Sequence, residues 1–328
     1  MFKKISFILI ALILFTITLF IGADVGFTQE IKIVQFSDVH LDTKNNDKPV
    51  RKFAQSLPMF QRAIKKVNVL NPDIVVFSGD MVNKPDENEF DIFLKNAKDL
   101  NMEFYPVVGN HDVGVNGGLT KQKIIEKINK NCAWLNLTST SYFIIKGEYL
   151  IIFMDGTNDK QITSKGTFSK DTLQFLDRTL TLYPYKKVII VQHFPLLPPF
   201  KSPSHEITNR NEYFDVLDRH NNVIIVLSGH YHASHAAQRN NVLYITTPSM
   251  IEYPHAFRYL TVDSDKKSVI IKSQLVVDID QNDKEDTTNA IARLKLGLPS
   301  DNDFTVKLKN TVPQEPLFDF AKGIFVKK

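Results

Sequence analysis

At 328 residues and 43% hydrophobic, the chain can bury a sizeable core, enough for one large domain or two small ones. Its formal net charge is +4 with the charges interspersed, so there is no electrostatic case for nucleic-acid binding, and none is expected. The single cysteine, Cys132, excludes an internal disulfide framework and any cysteine-rich zinc site, and reads as a buried, inert thiol.

The chain opens M-F-K-K-I-S-F-I-L-I-A-L-I-L-F-T-I-T-L-F-I-G-A-D, a targeting segment in which Lys3 and Lys4 are followed by an uncharged run from Ile5 to Ala23. That run exceeds the usual signal core of roughly 7–15 residues and approaches the about 20 that span a bilayer. Residues 1–23 are therefore either a signal peptide cleaved after Ala23 or an uncleaved membrane anchor, attached through 5–23, with its positive end inside. Both readings place the remainder outside the cytoplasm, whether secreted, periplasmic or anchored facing outward. No cysteine follows the apolar run, so a lipid-modified N-terminus is not expected.

Beyond residue 30, short β-branched runs alternate with amphipathic stretches. The runs at 31–36, 73–77, 103–108, 149–154, 187–191 and 222–227 predict strands covered on both faces. Helical spacing predicts helices over 51–70, interrupted at Pro58, and over 87–100, 119–130 and 169–182, the last capped by Ser169. Such alternation argues for α/β layers. Past 240, the segments 242–247, 257–262 and 268–276 read as consecutive strands, with a turn at 263–267, that close a second sheet. Residues 31–277 form one domain, and 278–328, polar with weak periodicity, reads as a C-terminal extension with one short helix.

The strand ends carry the chemistry. The first runs into Asp38 and His40, the second into Asp80, the third into Asn110, His111 and Asp112, the fifth into His193, and the sixth into His230 and His232. In open α/β sheets ligands bind at these carboxyl ends. Taken singly, a histidine after a strand is an ordinary loop residue, and Asp after Gly an ordinary turn former. Five of the nine histidines sit at such ends together with carboxylates and a carboxamide, and the joint pattern points to a metal site. Imidazole and oxygen donors without thiolate suit manganese, iron or zinc. Two divalent ions about 3.5–4 Å apart can hold a hydroxide between them and clamp the oxygens of an in-line phosphoryl displacement.

The blocks Asp38-Val39-His40, Gly79-Asp80, Gly109-Asn110-His111-Asp112, His193 and Gly229-His230-Tyr231-His232 stand in the order of the calcineurin-like metallophosphoesterase signature, which the chain resembles across 38–232. The resemblance implies a four-layer α/β/β/α fold, two packed mixed β-sheets flanked by helices, with 31–277 as the catalytic domain. It implies that Asp38, His40 and His232 hold one ion, that Asn110, His193 and His230 hold the other, and that Asp80 bridges. His111, oriented by Asp112, would assist the leaving group or the phosphoryl oxygens without ligating. The cofactors would be two divalent ions, and the partner a small phosphate ester. Purple acid phosphatases carry a metal-binding tyrosine three residues after the bridging aspartate; Asn83 stands there, so that branch is not expected. Q-F-S-D-V-H-L and T-P-S-M-I-E-Y-P resemble the small bacterial branch with cyclic-nucleotide phosphodiesterases, but export argues against a cytosolic signalling role. It leaves phosphomonoesters, phosphodiesters, nucleotides or envelope-derived phosphate compounds. The rival expectation is a non-catalytic scaffold of the same fold that binds a protein partner; such proteins usually lose ligands, and every position here is filled.

The proline-rich segment 194–206 is a candidate substrate rim, with His205, Tyr231, His235 and Arg210 as lesser candidates. His220 and His255 read as structural or exposed, and Asn136-Leu137-Thr138 matches a glycosylation acceptor, a short motif of low specificity.

Overall fold

The computed structural model describes residues 30–115, 117–265, 267–277 and 290–313, together with the backbone of 317–319 and 324–326. The expected targeting segment 1–23 lies outside the described residues, among which no helix is long and apolar enough to cross a membrane.

The first half of the chain alternates as its periodicity predicts. Strand β1 (Ile31–Phe36) leads to helix α1 (Ser56–Leu70), then β2 (Ile74–Ser78), α2 (Glu87–Ala97), β3 (Phe104–Val107) and α3 (Lys121–Asn131). The hairpin β4 (Tyr142–Lys146) and β5 (Tyr149–Met154) follows, then α4 (Lys170–Leu182), β6 (Lys187–Gln192), α5 (Arg210–Leu217) and β7 (Val223–Ser228). Ser169 caps α4, its hydroxyl accepting the Thr172 amide at 3.1 Å. Pro58 does not interrupt α1. The helix starts at Ser56, so the proline falls in the first turn, where a missing N–H costs nothing.

Two mixed six-stranded sheets result. Strands β8 (His235–Arg239), β9 (Val242–Thr246), β10 (Ala256–Ser264), β11 (Ser268–Val277) and β12 (Phe304–Lys309) complete them. The first runs β12-β11-β10-β1-β2-β3 and the second β4-β5-β6-β7-β9-β8. The strands past 240 therefore do not form one sheet. β9 pairs parallel with β7, whereas β10 lies antiparallel to β1 on the other sheet. The connection between them, 247–255, crosses from one sheet to the other. β8 escaped the sequence reading because H-A-A-Q-R lacks the β-branched residues of a covered strand, and it lies at an edge. The extension carries more than one short helix: α6 (Ala290–Leu296) and α7 (Pro299–Asn302) precede β12, which pairs with β11. A last short pair, β13 (Leu317–Asp319) and β14 (Ile324–Val326), stands apart from both sheets.

Alternation of side chains along each strand sorts the layers. Ile151, Phe153, Ile189, Val191, Ile225 and Leu227 face the first sheet, while Leu150, Ile152, Val188 and Ile190 pack under Leu173, Leu176 and Leu180 of α4 and Tyr213 of α5. The first sheet meets α1 and α2 through an aromatic cluster. Phe77 stacks on Phe36 at 5.3 Å between ring centroids and meets Phe93 and Phe104 edge-on at 5.0 and 5.8 Å. Phe77→Ala is expected to cost about 3–5 kcal/mol of stability, read from the shift in chemical-denaturation midpoint. Cys132 is buried, and burial pushes its thiol up to about 12, in keeping with an inert role.

Candidate metal centre

Between the sheets, at the carboxyl ends of their strands, Gln35 forms a polar tie. Its amide donates to Ser78 Oγ and to the Ser228 carbonyl, each at 2.9 Å, and its oxygen accepts Thr247 Oγ1 at 2.8 Å. This tie holds the ends of β1, β2 and β7 in register, and beyond it the backbones turn abruptly. Asp38, His40, Asp80, His230 and His232 all adopt left-handed φ, between 43° and 70°. For non-glycine residues that conformation costs about 1–3 kcal/mol each and persists only where the surroundings over-determine it. Here they do. The amides of Asp38 and His40 donate to the carbonyls of Gly79 and Asp80 at 3.1 and 2.9 Å, and the Gly229 amide donates to the His193 carbonyl at 2.9 Å. Gly229 is also required by contact, because a Cβ there would stand 1.7 Å from Ser37 Oγ and 2.5 Å from Asp38 Oδ2.

These turns aim buried donors at one another in two sets, Asp38, His40, Asp80 and His232 in one and Asp80, His193 and His230 in the other, with ligand atoms within 4.8 Å of each other. Asp80 belongs to both. In the first set His40 Nε2 lies 3.0 Å from His232 Nε2 and 3.6 Å from Asp80 Oδ2, and His232 Nε2 lies 3.2 Å from Asp38 Oδ1. In the second, His193 Nε2 lies 3.2 Å from each of Asp80 Oδ2, His230 Nδ1 and Asn110 Oδ1.

The electrostatics put the titratable donors other than His193 in ligand form. Burial raises the Asp38 carboxyl, but His232 and His193 outweigh it and hold the group well below the carboxylate range. Asp80 is likewise held down against burial by His193 and His111. Burial pushes His40 and His230 well below the usual imidazole value, aided by His111 and His193 respectively, and lowers His232 as well. Only His193 rises, to about 9, because Asp80 overcomes its burial. Asp38 Oδ1, which faces His232 Nε2 inside the first set, is buried without a hydrogen bond. Buried polar atoms are normally paired, so ionised carboxylates and neutral imidazoles crowded together this way fit divalent cations.

Partners outside the two sets fix which nitrogen faces inward. His193 Nδ1–H donates to the Ser78 carbonyl at 2.8 Å, and His232 Nδ1–H to Glu252 Oε1 at 2.7 Å, leaving Nε2 of each for the centre. Glu252 was not a candidate from sequence; it belongs to no spaced metal motif, and its stretch stood out only by resemblance. His111 is half-buried, its ring edge-on to His40 at 4.7 Å. Its Nδ1–H donates to the Asn83 carbonyl at 2.7 Å, and its amide to Asp80 Oδ1 at 2.8 Å. Asn83 is in turn held by Asp42, whose Oδ2 accepts its side-chain amide at 2.6 Å. The expectation that Asp112 orients His111 is corrected. The Asp112 carboxylate turns away and accepts the amides of Val82 at 3.0 Å and Gly109 at 2.8 Å. It braces the two loops that carry Asp80 and Asn110, and the residue that orients His111 is Asn83.

Of the lesser candidates, His205 does reach the centre. Its ring lies 5.0 Å from that of His230, and its Nδ1 bonds Ser202 Oγ at 2.8 Å. Tyr231 packs beside it at 5.9 Å. His235 lies on β8, 3.4 Å from Asp301, and Arg210 is the first residue of α5. His220 pairs with Asp177 at 2.8 Å, a structural contact as expected, and buried His255 bonds the Met250 carbonyl at 3.0 Å.

Comparison with known proteins agrees with this geometry. A family model described as calcineurin-like phosphoesterase matches residues 31–234. A probable cyclic nucleotide phosphodiesterase from Moraxella catarrhalis is 27% identical over 62% of this chain and 72% of that one. A probable glycerophosphodiester phosphodiesterase from Arcobacter nitrofigilis is 25% identical over 66% of this chain and 77% of that one. Among solved structures, a dimetal phosphatase from Danio rerio shares the fold, with a TM-score of 0.61 at 16% identity over 74% of this chain and 95% of that one. With the matched span exceeding half of the chain and containing all of the converging donors, this protein belongs to the calcineurin-like phosphoesterase family.

Proposed function

We propose that the protein is an exported hydrolase of phosphomonoesters or phosphodiesters that works with two divalent ions, manganese, iron or zinc. The observation that carries this reading is the pair of buried donor sets sharing Asp80. Asp38, His40, His232 and Asp80 would hold one ion, and Asp80, Asn110, His193 and His230 the other. Bound there, the ions would supply Lewis acidity toward phosphoryl oxygens and lower the pKa of water. The chain's own contribution is positional. The Ser78 carbonyl and Glu252 keep the Nδ1 protons of His193 and His232 away from the centre, and the Asn83 carbonyl does the same for His111. His111 Nε2 is then the position that gives a proton to the leaving oxygen.

The names of the two curated relatives support a phosphodiester as substrate. The uncharged run at 5–23 supports export, with the domain facing outward on an anchor or released after cleavage. Export separates the protein from cytosolic cyclic nucleotides and favours small phosphate esters met outside the cytoplasm, with no nucleic-acid partner. Purified protein loaded with manganese, assayed on an aryl phosphate monoester and on the bis-ester, tests the reading. Hydrolysis that disappears with chelation and returns with metal is expected. Two bound ions without hydrolysis of either ester would favour the non-catalytic scaffold instead.

A further inference from the structure

The carboxylate that orients His232 is itself shared by two cations. Arg51 Nε donates to Glu252 Oε1 at 2.6 Å, and Lys295 Nζ contacts Glu252 Oε2. Lys295 sits on α6, beyond the span matched by the family model, and is brought in by the C-terminal extension. The extension is pinned against the segment that follows His232 at several points independent of the lysine side chain. The Ser234 amide donates to the Lys295 carbonyl at 2.8 Å, and the Ala236 amide donates to Asp301 Oδ1 at 2.9 Å. Arg258 donates to Ser234 Oγ at 2.8 Å and to the Asn302 carbonyl at 3.0 Å. Gly297, at φ +71°, passes so close that a Cβ would stand 2.3 Å from the Ser234 carbonyl oxygen.

We propose that Lys295 is a tuning residue of the metal centre: its ammonium draws on Glu252 and so weakens the hold of His232 on the ion that Asp38, His40 and His232 share. The inference rests on the two-ion reading above. A carboxylate behind a ligating histidine raises the basicity of that ligand and fixes its ring. A cation on the far oxygen withdraws part of that negative charge. The ammonium also stands near enough to Asp38 and His232 to act on each through space, and repels a divalent cation there. Both effects have the same sign. The opposing effect, loss of order at Glu252, is small, because Arg51 and His232 still hold Oε1 when the lysine is removed. With Arg51 present as well, two cations face one carboxylate, so the orienting group is more than neutralised.

The two partners should therefore act in opposite directions, which a purely structural strut cannot produce. Stepwise dissociation constants for Mn(II), measured by calorimetry on the metal-free full chain, read the effect, and His232→Ala identifies the step that belongs to this ion. Lys295→Met is expected to tighten that step about tenfold, the low end for a group acting through an orienting partner, and Glu252→Gln to weaken it by about 10–100-fold. Lys295→Arg is expected to restore the parent value. If Lys295→Met does not fold, Lys295→Gln carries the same comparison. An unchanged or weaker step in the folded lysine variant, alongside a weakened Glu252→Gln, overturns the tuning role alone. A parent protein that binds no ion overturns the two-ion reading and this inference with it.

Discussion

Asp80→Ala is expected to empty both metal positions and to abolish hydrolysis. No other residue belongs to both donor sets. Its Oδ2 stands 3.6 Å from His40 Nε2 and 3.2 Å from His193 Nε2, and Oδ1 accepts the amide of His111. Without it, the set around His193 and His230 keeps only imidazoles and the Asn110 amide, with no negative charge to balance a divalent cation. The other set keeps Asp38 as its single carboxylate. The substitution also releases the His111 amide, so the loop carrying Asn110 loses an anchor. Metal content by mass spectrometry reads the outcome directly, and retention of two ions per chain would refute the shared role. Asp80→Asn separates the two effects. A carboxamide can still accept the His111 amide, so a variant that keeps its fold while losing metal assigns the loss to the missing charge.

The donors of the centre were legible because each lies just past an apolar run. A strand covered on both faces has no use for Asp or His at its end, so five such ends in one chain required a common explanation. Sequence neighbours were a poorer guide to contact. Asp112 follows His111 directly, yet its side chain turns back to the amides of Val82 and Gly109. The true partner of His111 is a backbone carbonyl at Asn83, and carbonyls leave no trace in residue type. Glu252 and Lys295 were hidden for a related reason. Glu252 meets His232, and Lys295 meets Glu252, only because the connection 247–255 crosses between the sheets and the extension returns beside Ser234. Neither approach has a period or a motif. Strand periodicity likewise identified β9 and β10 as strands but could not assign them to sheets, since pairing partners are chosen in three dimensions.

His111→Ala tests the division between metal-holding and proton-giving residues. Its kcat is expected to fall by about 10²–10⁴ while both ions stay bound. The imidazole belongs to neither donor set. Its hydrogen bond to the centre is through its amide to Asp80 Oδ1, which the substitution preserves. Its ring rests edge-on against His40, and with Nδ1–H committed to the Asn83 carbonyl, only Nε2 is available for exchange. The two roles open to that nitrogen differ in their dependence on the leaving group. A general acid matters most for a poor leaving group, because a basic alkoxide must be protonated as the bond breaks. A group that only steadies the phosphoryl oxygens acts equally on all esters. Assayed on aryl esters of rising leaving-group pKa, the variant should therefore lose most on the most basic leaving groups. A uniform loss across the series would instead assign His111 to the phosphoryl oxygens, and loss of metal would place its ring in the structure of the centre.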